Sequence, residues 1–387
     1  MAEKLKPPER RQSWFERHPK KTLGLILVIV LGGLTFLADR LLGLKVKALP
    51  ASIQRSIRLR ELPPLHYEVT VPPTGVLEPG GGTLPPSSLL RADRQGFIIP
   101  SRVHERPDVT LAFLGGSTTE CRYQAEEQRF VYQAGRLLEG GTGLKVNAYN
   151  ASRSGNNTLH NLNILLNKVL PLKPAIVVLM ENVNDLSTLL YEGSYWNKNA
   201  SREPVVEVTP SLRREFRGFL TALKNAVIPH LSAAVKELTW FRKDPAPPDE
   251  FAHMRRRRLT IDEAFLLREF TANLTHFIDI CRARGIIPVL MTQANRFTEP
   301  LDPKIAGQVR PIEAQGIPYR EYKAVYDRFN QAIREVGAKK GVLVIDLARQ
   351  IPQDKLHMFD AVHFTDQGAA LTAQKIAEGL VKVVKKP

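Results

Sequence analysis

The sequence predicts an α/β domain, a three-layer α/β/α sandwich around a five-stranded parallel sheet, preceded by one transmembrane helix. Two observations support this prediction. After residue 106, short apolar runs alternate with helix-length amphipathic segments, and near-continuous apolar strands are typical of a parallel sheet covered on both faces. An uncharged, strongly apolar run also occupies residues 22–38, which is the composition of a membrane-spanning helix.

The apolar run at residues 22–38 is just long enough to cross a bilayer. At about 1.5 Å per helical residue it spans roughly 25 Å, and residues 41–44 extend it if Asp39 and Arg40 reach back toward the headgroups. A cleavable signal peptide is the main alternative, but the bulky Phe36 and the long leading segment disfavour cleavage. A buried core helix is a further alternative.

The charge distribution favours an anchored protein over one that binds nucleic acid. The formal net charge is +16, and half of that excess lies in residues 1–106, which hold 17 basic and nine acidic residues. Basic residues before the apolar run favour a cytoplasmic N terminus. We therefore expect a cytoplasmic segment 1–21, a single-pass anchor 22–44 in the cell membrane and an extracytoplasmic remainder, which is periplasmic in a Gram-negative cell. We expect no nucleic-acid partner.

The rest of the chain divides by composition. Residues 45–106 are rich in Pro and Gly, so we expect a connector that lacks regular helix and either stays extended or wraps the domain. The catalytic domain is predicted at residues 107–387. Within it, residues 191–260 exceed the length of one crossover and are predicted to be an insertion beside the active-site edge, with a helix at 212–240.

The predicted strands and helices alternate along the domain. Glycines at positions 285 and 341 lie where a helix hands over to a strand, as C-cap glycines do. The predicted strands are 109–114, 146–150, 175–180, 286–291 and 342–347. The predicted helices are 130–139, 159–169, 261–284, 322–339 and 367–384.

Polar residues follow several of these strands, and ligands of open parallel sheets bind at the carboxyl ends of the strands. Ser117 follows the first strand, Gly155 lies in a turn after the second, and Asn184 follows the third. Asp360 and His363 lie directly before the last helix. The topology therefore predicts that these residues meet at one edge of the sheet.

Three of these residues supply the groups of a nucleophilic hydroxyl site. A serine hydroxyl needs an imidazole to take its proton, and a carboxylate fixes the imidazole tautomer. Ser117, His363 and Asp360 are predicted to be catalytic in these roles. The backbone N–H groups of Ser117 and Gly155 and the side-chain amide of Asn184 are predicted to hold the oxyanion.

Each of the four motifs, around Ser117, Gly155, Asn184 and Asp360 to His363, is weak evidence for a catalytic site when taken alone. Two glycines before a serine also occur in phosphate-binding or structural turns, although this chain lacks the later glycine and lysine of a phosphate loop. An aspartate three residues before a histidine is common on surfaces. The four motifs in this chain order are specific together.

The four motifs resemble those of the SGNH or GDSL hydrolase superfamily over residues 108–382. FLGGST places the family nucleophile at Ser117, NASRSGNNT the family glycine at Gly155, and NVND the family asparagine at Asn184. DAVH matches the family aspartate and histidine with Asp360 and His363. The resemblance implies a flavodoxin-like sheet and acyl-ester chemistry. Two positions depart from the pattern: Gly116 replaces the usual aspartate, and Asn182 replaces a glycine.

The sequence predicts a membrane-anchored serine esterase acting on an O-acyl ester, with O-acetyl as one candidate, of an envelope or extracellular carbohydrate or lipid. An O-acetyltransferase acting on polysaccharide with the same triad is one alternative, and a non-catalytic polysaccharide-assembly protein is another. No histidine, cysteine and carboxylate spacing suggests a metal, so we expect no metal and no cofactor. The sequence leaves open the oligomeric state and a bridge between Cys121 and Cys281.

Overall fold

The computed structural model describes residues 13–46, 51–73, 75–206 and 249–384. These residues form two units, an N-terminal helical unit and an α/β domain that begins at Ala51. The helix predicted at 212–240 and the first 12 residues of the predicted cytoplasmic segment lie outside the described residues.

The N-terminal unit consists of two helices, α1 (Trp14–Arg17) and α2 (Pro19–Val46). Ser13 and Glu16 form a reciprocal capping box at the start of α1. In α2, Pro19–Ala38 is long and apolar enough to cross a membrane, and this stretch is not buried against protein. A signal sequence has the same length and composition, so the helix is a candidate for either role.

The α/β domain alternates strands and helices. Its elements in chain order are α3 (Ala51–Arg58), β1 (Tyr67–Thr70), β2 (Ser88–Arg91), β3 (Val109–Gly115), α4 (Ser117–Glu120), α5 (Phe130–Thr142), β4 (Val146–Asn150), α6 (Thr158–Ile164), β5 (Ile176–Met180), α7 (Val183–Glu192), α8 (Glu263–Ala283), β6 (Ile287–Met291), α9 (Pro303–Glu313), α10 (Tyr319–Lys340), β7 (Leu343–Ile345), α11 (Leu347–Gln350) and α12 (Asp366–Leu380).

Strands β3 to β7 form one parallel sheet in the order β4-β3-β5-β6-β7. This flavodoxin-like order confirms the predicted fold class. The first four strands match their predicted bounds within one residue. The last, β7, is shorter than predicted because the chain turns at Asp346 into α11.

Helices cover both faces of the sheet, as the apolar strands predict. Leu111 and Phe113 of β3 pack on one face with α5 and α12, whereas Ala112 and Leu114 pack on the other face with α6, α7, α8 and α10. The alternation follows from the two-residue period of a strand. Because the crossovers put helices on both faces, the carboxyl ends of the strands stay free to carry a site.

The five predicted helices that lie within the described residues all occur, whereas helices α3, α4, α7, α9 and α11 were not predicted. Gly341 has φ +59° at the end of α10, as expected of a C-cap glycine. Helix α9 was not predicted because it has few buried side chains (Ile305, Val309 and Ile312) to give an apolar periodicity, and because Pro311 lies inside it.

The expectation that residues 45–106 lack regular helix is wrong. Residues 51–60 contain no Pro or Gly, and Ala51–Arg58 form α3. Arg55 of this helix pairs with Glu61 at 3.0 Å. After the prolines begin, β1 and β2 form an antiparallel hairpin. The segment also packs on the sheet, since the Ile98 N–H donates to the carbonyl of Asn150 in β4 at 3.0 Å. From Ala51 onward, the described part of this segment therefore belongs to the α/β domain.

Candidate active site

Ser117 lies at the carboxyl end of β3, where the strand passes through Gly116 into α4. A Cβ on residue 115 would come within 2.2 Å of Thr119 Oγ1, and one on residue 116 within 2.1 Å of Asn184 Nδ2. Gly116 has φ −92°, which other residues also adopt. The two glycines are therefore required by close packing around Ser117 rather than by an unusual backbone conformation.

His363 and Asp360 lie beside Ser117 although 246 positions separate the serine from the histidine. His363 Nδ1 donates to Asp360 Oδ2 at 2.7 Å, which leaves Nε2 of a neutral imidazole to accept from the Ser117 hydroxyl at 2.7 Å. The other carboxylate oxygen of Asp360 accepts from the backbone N–H groups of Val362 and His363. The three predicted catalytic residues thus form one continuous hydrogen-bonded chain.

Packing around the loop fixes the imidazole plane. The ring of Phe359 stacks on that of His363, with centroids 5.6 Å apart and an interplanar angle of 9°. The Thr118 hydroxyl donates to the carbonyl of Val362 at 3.1 Å and accepts from Gln293 at 2.7 Å. Helix α4, which carries Ser117, and the loop that carries His363 are therefore tied directly to each other.

The electrostatics of the pair suit a general base. Burial lowers the pKa of His363, but the charge and the hydrogen bond of Asp360 outweigh burial, and the pKa is raised above its usual 6.5. Burial raises the pKa of Asp360, but the charge of His363 and the hydrogen bonds to Asp360 outweigh it, and this pKa is lowered. Asp360 therefore stays ionised and stabilises a proton on His363.

The three predicted oxyanion groups line the same cavity as the serine and the histidine. Gly155 has φ +77° in the turn after β4, a conformation that favours glycine. Among the described residues, neither the Ser117 nor the Gly155 N–H donates a hydrogen bond. The cavity has a volume of about 270 Å³. Its lining residues are Ser117, Thr118, Cys121, Arg122, Tyr123, Gln124, Ser154, Gly155, Asn184, Arg202, Glu250, Phe359, His363 and Phe364.

The polar side chains of the NVND motif after β5 point in different directions. Asn184 faces the cavity. The amide of Asn182, at the position where a glycine is usual, donates to the carbonyl of Tyr326 in α10 at 3.1 Å and does not line the cavity. Asp185 is fully buried and accepts from the hydroxyls of Thr158 and Tyr195, each at 2.5 Å. Asn182 and Asp185 thus anchor α7, and Asn184 alone is available for chemistry.

Other residues near the motifs have structural roles. His160 caps α6: its Nδ1 accepts from the Asn157 N–H at 3.1 Å, and its Nε2 donates to the carbonyl of Glu203 at 2.9 Å. Tyr191 stacks on Phe251 with ring centroids 4.3 Å apart, so its ring packs within the predicted insertion.

The two cysteines are buried and free. They belong to the cores on opposite faces of the sheet, and a disulfide cannot cross a sheet. Within the described ranges, no cluster of three histidine, cysteine or carboxylate side chains could hold a metal ion.

Arg202 and Glu250 are cavity residues that the sequence did not single out. They come from the two described ends of the predicted insertion. The length of the insertion predicted that it borders the active-site edge, but no motif within it marks either residue.

Comparison with known proteins identifies the family. Residues 113–371 match the model of the GDSL-like lipase/acylhydrolase family. The match covers the end of β3, the turn at Gly155, the NVND motif and the His363 loop. The chain belongs to this family. It is therefore an ester hydrolase. No curated protein matches the acylhydrolase in sequence.

Solved structures similar to the acylhydrolase include Axe2, an acetylxylan esterase from Geobacillus stearothermophilus, with 14% identity, a TM-score of 0.39, and coverage of 70% of this chain and 94% of Axe2. A GDSL-like lipase from Bacteroides thetaiotaomicron is similar with 12% identity, a TM-score of 0.38, and coverage of 71% of this chain and 89% of the lipase.

Proposed function

We propose that this acylhydrolase is a serine esterase in which Ser117 attacks the ester carbonyl, His363 takes and returns the proton, and Asp360 holds His363. The observation that supports the proposal is the hydrogen-bonded chain from Ser117 Oγ through His363 to Asp360, with 2.7 Å at both links. In the first step the serine oxygen bonds to the carbonyl carbon, His363 accepts the hydroxyl proton and then protonates the leaving alkoxide. In the second step water attacks the acyl carbon while His363 takes its proton, and His363 then returns that proton to Ser117 Oγ as the carboxylic acid leaves.

The oxyanion of both tetrahedral intermediates is assigned to the N–H groups of Ser117 and Gly155 and to Asn184 Nδ2. These groups line one cavity with the nucleophile, and the two N–H groups donate to no other described residue. Donors that are held in place before the reaction stabilise charge without reorganisation, and the loss of one costs about 10²- to 10³-fold in kcat.

The substrate class in this proposal is a short O-acyl ester, such as an acetyl ester, on a carbohydrate or lipid outside the cytoplasm. The cavity of about 270 Å³ lies at the small end of ligand pockets, which favours a short acyl chain. Ser154, Arg202 and Glu250 in its lining favour a polar alcohol part. The apolar stretch Pro19–Ala38 is assigned as a membrane anchor that keeps the enzyme near a surface polymer or lipid.

An ester panel tests the activity. The full-length protein in detergent is assayed with p-nitrophenyl acetate, butyrate and octanoate, and Ser117→Ala is the matched control. We expect the highest kcat/KM for acetate and no turnover above background by the variant. Equal inactivity of both proteins, together with no labelling of Ser117 by a fluorophosphonate, would overturn the serine esterase assignment.

A reporter fusion tests the location. Alkaline phosphatase, which folds only outside the cytoplasm, is fused after the last residue, and a cytoplasm-active reporter is fused there in parallel. We expect phosphatase activity in the membrane fraction. Activity of the cytoplasmic reporter alone would overturn the orientation, and phosphatase activity in a soluble, shortened product would replace the anchor with a cleaved signal sequence.

A further inference from the structure

The described ends of the insertion meet beside the candidate active site. The carbonyl of Glu250 accepts from Asn199 Nδ2 at 3.0 Å, and the Arg202 N–H donates to the Asn199 carbonyl at 2.7 Å. This arrangement brings the side chains of Arg202 and Glu250 into the lining of the cavity that contains Ser117.

Arg202 contacts two of the three proposed oxyanion residues. Its Nη1 donates to the Gly155 carbonyl at 2.6 Å and to Asn184 Oδ1 at 3.0 Å. Its Nη2 donates to Glu250 Oε2 at 2.5 Å. The Arg202 side chain is only 7% exposed, whereas that of Glu250 is 40% exposed, so the ion pair reaches from solvent into the oxyanion site.

The chemistry of the guanidinium group determines which way the Asn184 amide points. A guanidinium has only donors, so the carbonyl oxygen of the amide must face it. The amide nitrogen then faces the opposite side, where Nδ2 lies against Gly116, the residue before the nucleophile. A rotation of the amide by half a turn would place an oxygen lone pair where the oxyanion forms, and the two would repel each other.

Glu181 constrains the orientation of the Asn184 amide less than Arg202 does. Its Oε2 lies 3.5 Å from Asn184 Nδ2, at the limit of a hydrogen bond. Burial and the charge of Asp185 also raise the pKa of Glu181 well above its usual range. A carboxyl group whose charged form is disfavoured by burial constrains the amide less than a guanidinium group, which has only donors.

We propose that Arg202 is a positioning residue that orients Asn184 and the Gly155 turn as oxyanion donors, and that Glu250 holds Arg202 in place. Arg202 acts through these two residues. The inference rests on the proposed serine esterase mechanism and adds to it a specific task for the insertion.

The test measures kcat and KM for p-nitrophenyl acetate and the second-order rate of Ser117 labelling by a fluorophosphonate. Labelling also develops negative charge on an oxygen in the oxyanion site, and it does not depend on knowing the natural substrate. In the full-length protein, Arg202→Ala is expected to lower both kcat and the labelling rate by about 10- to 100-fold, less than the full loss of a donor. We expect KM to change little. Glu250→Gln is expected to produce a smaller loss of the same kind.

Arg255→Ala is the matched control. Arg255 lies in the same insertion, pairs with Asp249 at 2.6 Å and contacts the Tyr191 ring, but it touches no proposed oxyanion residue. Its loss is expected to lower thermal stability about as much as Arg202→Ala and to leave kcat unchanged. Guanidinium ions at millimolar concentration are expected to restore part of the kcat of Arg202→Ala and to leave Arg255→Ala unaffected.

A double-mutant cycle separates positioning from a general structural effect. If Arg202 acts through Asn184, Arg202→Ala combined with Asn184→Ala is expected to lose much less than the product of the two single losses. Independent, multiplicative losses would overturn the inference, and so would a labelling rate of Arg202→Ala equal to that of the wild type.

The same experiment distinguishes failure of the Arg202 inference from failure of the proposed serine esterase mechanism. If fluorophosphonate labels the wild type but not Ser117→Ala, the serine esterase mechanism stands, and the Arg202 variants decide the inference separately. If the wild type is neither labelled nor active, both fail.

Discussion

Asn184 is packed so closely against Gly116 that a Cβ on residue 116 would lie 2.1 Å from its Nδ2. Gly116 replaces the aspartate that usually precedes the nucleophile in the superfamily. The amide of Asn184 thus occupies space that a larger residue at position 116 would need.

Gly116→Ala is predicted to reduce activity far more than stability. The new Cβ displaces the Asn184 amide, and we expect a fall in kcat of about 100-fold, as for loss of one oxyanion donor. The fall in the free energy of unfolding is expected to be about 1–3 kcal/mol, as for overpacking elsewhere. Steady-state kinetics and urea unfolding measure the two effects.

Gly140→Ala in α5 is the control for this substitution, because nothing lies within 4 Å of the Cβ position there. It is expected to raise stability by about 0.5–1 kcal/mol and to leave kcat unchanged. Full activity of Gly116→Ala would show that the contact with Asn184 does not constrain the site.

The pH profile of the esterase is predicted to depend on Asp360. The general base must be neutral, and the raised pKa of His363 means that kcat/KM increases with pH through a midpoint above 6.5. Asp360→Asn removes the charge that raises this pKa. We expect the acid limb to move to lower pH while the plateau falls by about 10³- to 10⁴-fold. An unshifted acid limb in the variant would argue that Asp360 does not act on His363.

His160 is predicted to make stability depend on acid. Burial, with the charges of Arg60, Arg202 and Arg153, lowers its pKa from 6.5 to about 3. The unfolded chain therefore binds a proton that the folded chain does not bind between pH 6.5 and 3. This group lowers the free energy of unfolding by about 1.4 kcal/mol for each pH unit below 6.5.

In urea unfolding from pH 7.5 to 4.5, the advantage of wild type over His160→Gln is expected to shrink as the pH falls. His276→Gln, at an exposed position of α8, is the control and is expected to follow the wild-type curve. A constant difference between wild type and His160→Gln would mean that the folded protein accepts a charged His160.

The two cysteines are predicted to be unreactive and unbridged. Burial raises the pKa of each thiol, Cys121 and Cys281, to about 12. At pH 8 only about one thiol in 10⁴ is then ionised. Reaction with Ellman's reagent is expected to be at least about 100-fold slower in the folded protein than in urea, with two thiols titrated after unfolding. Rapid reaction of either thiol before unfolding would contradict the packing at that position.

The α/β architecture and the candidate catalytic residues could be predicted from local patterns. Strands such as β5 (Ile176–Met180) are buried on both faces and are apolar throughout, so their bounds are visible in the sequence. Because parallel strands end at one edge of the sheet, the positions of Ser117, Gly155 and Asn184 after three strands were sufficient to predict that they meet. Helix α3 was missed because the composition of the whole segment was dominated by prolines that follow it.

What the sequence by itself determined is therefore the set of strands, their common edge and the hydroxyl, imidazole and carboxylate at that edge, because these depend on periodicity and on short motifs. Only the tertiary structure decided which side chains complete the site. Arg202 and Glu250 reach the cavity through an insertion that has no regular pattern in its described parts. The need for glycine at position 116 comes from the Asn184 amide, which is distant in the chain. Contacts between such distant segments are set by packing, and no local pattern encodes them.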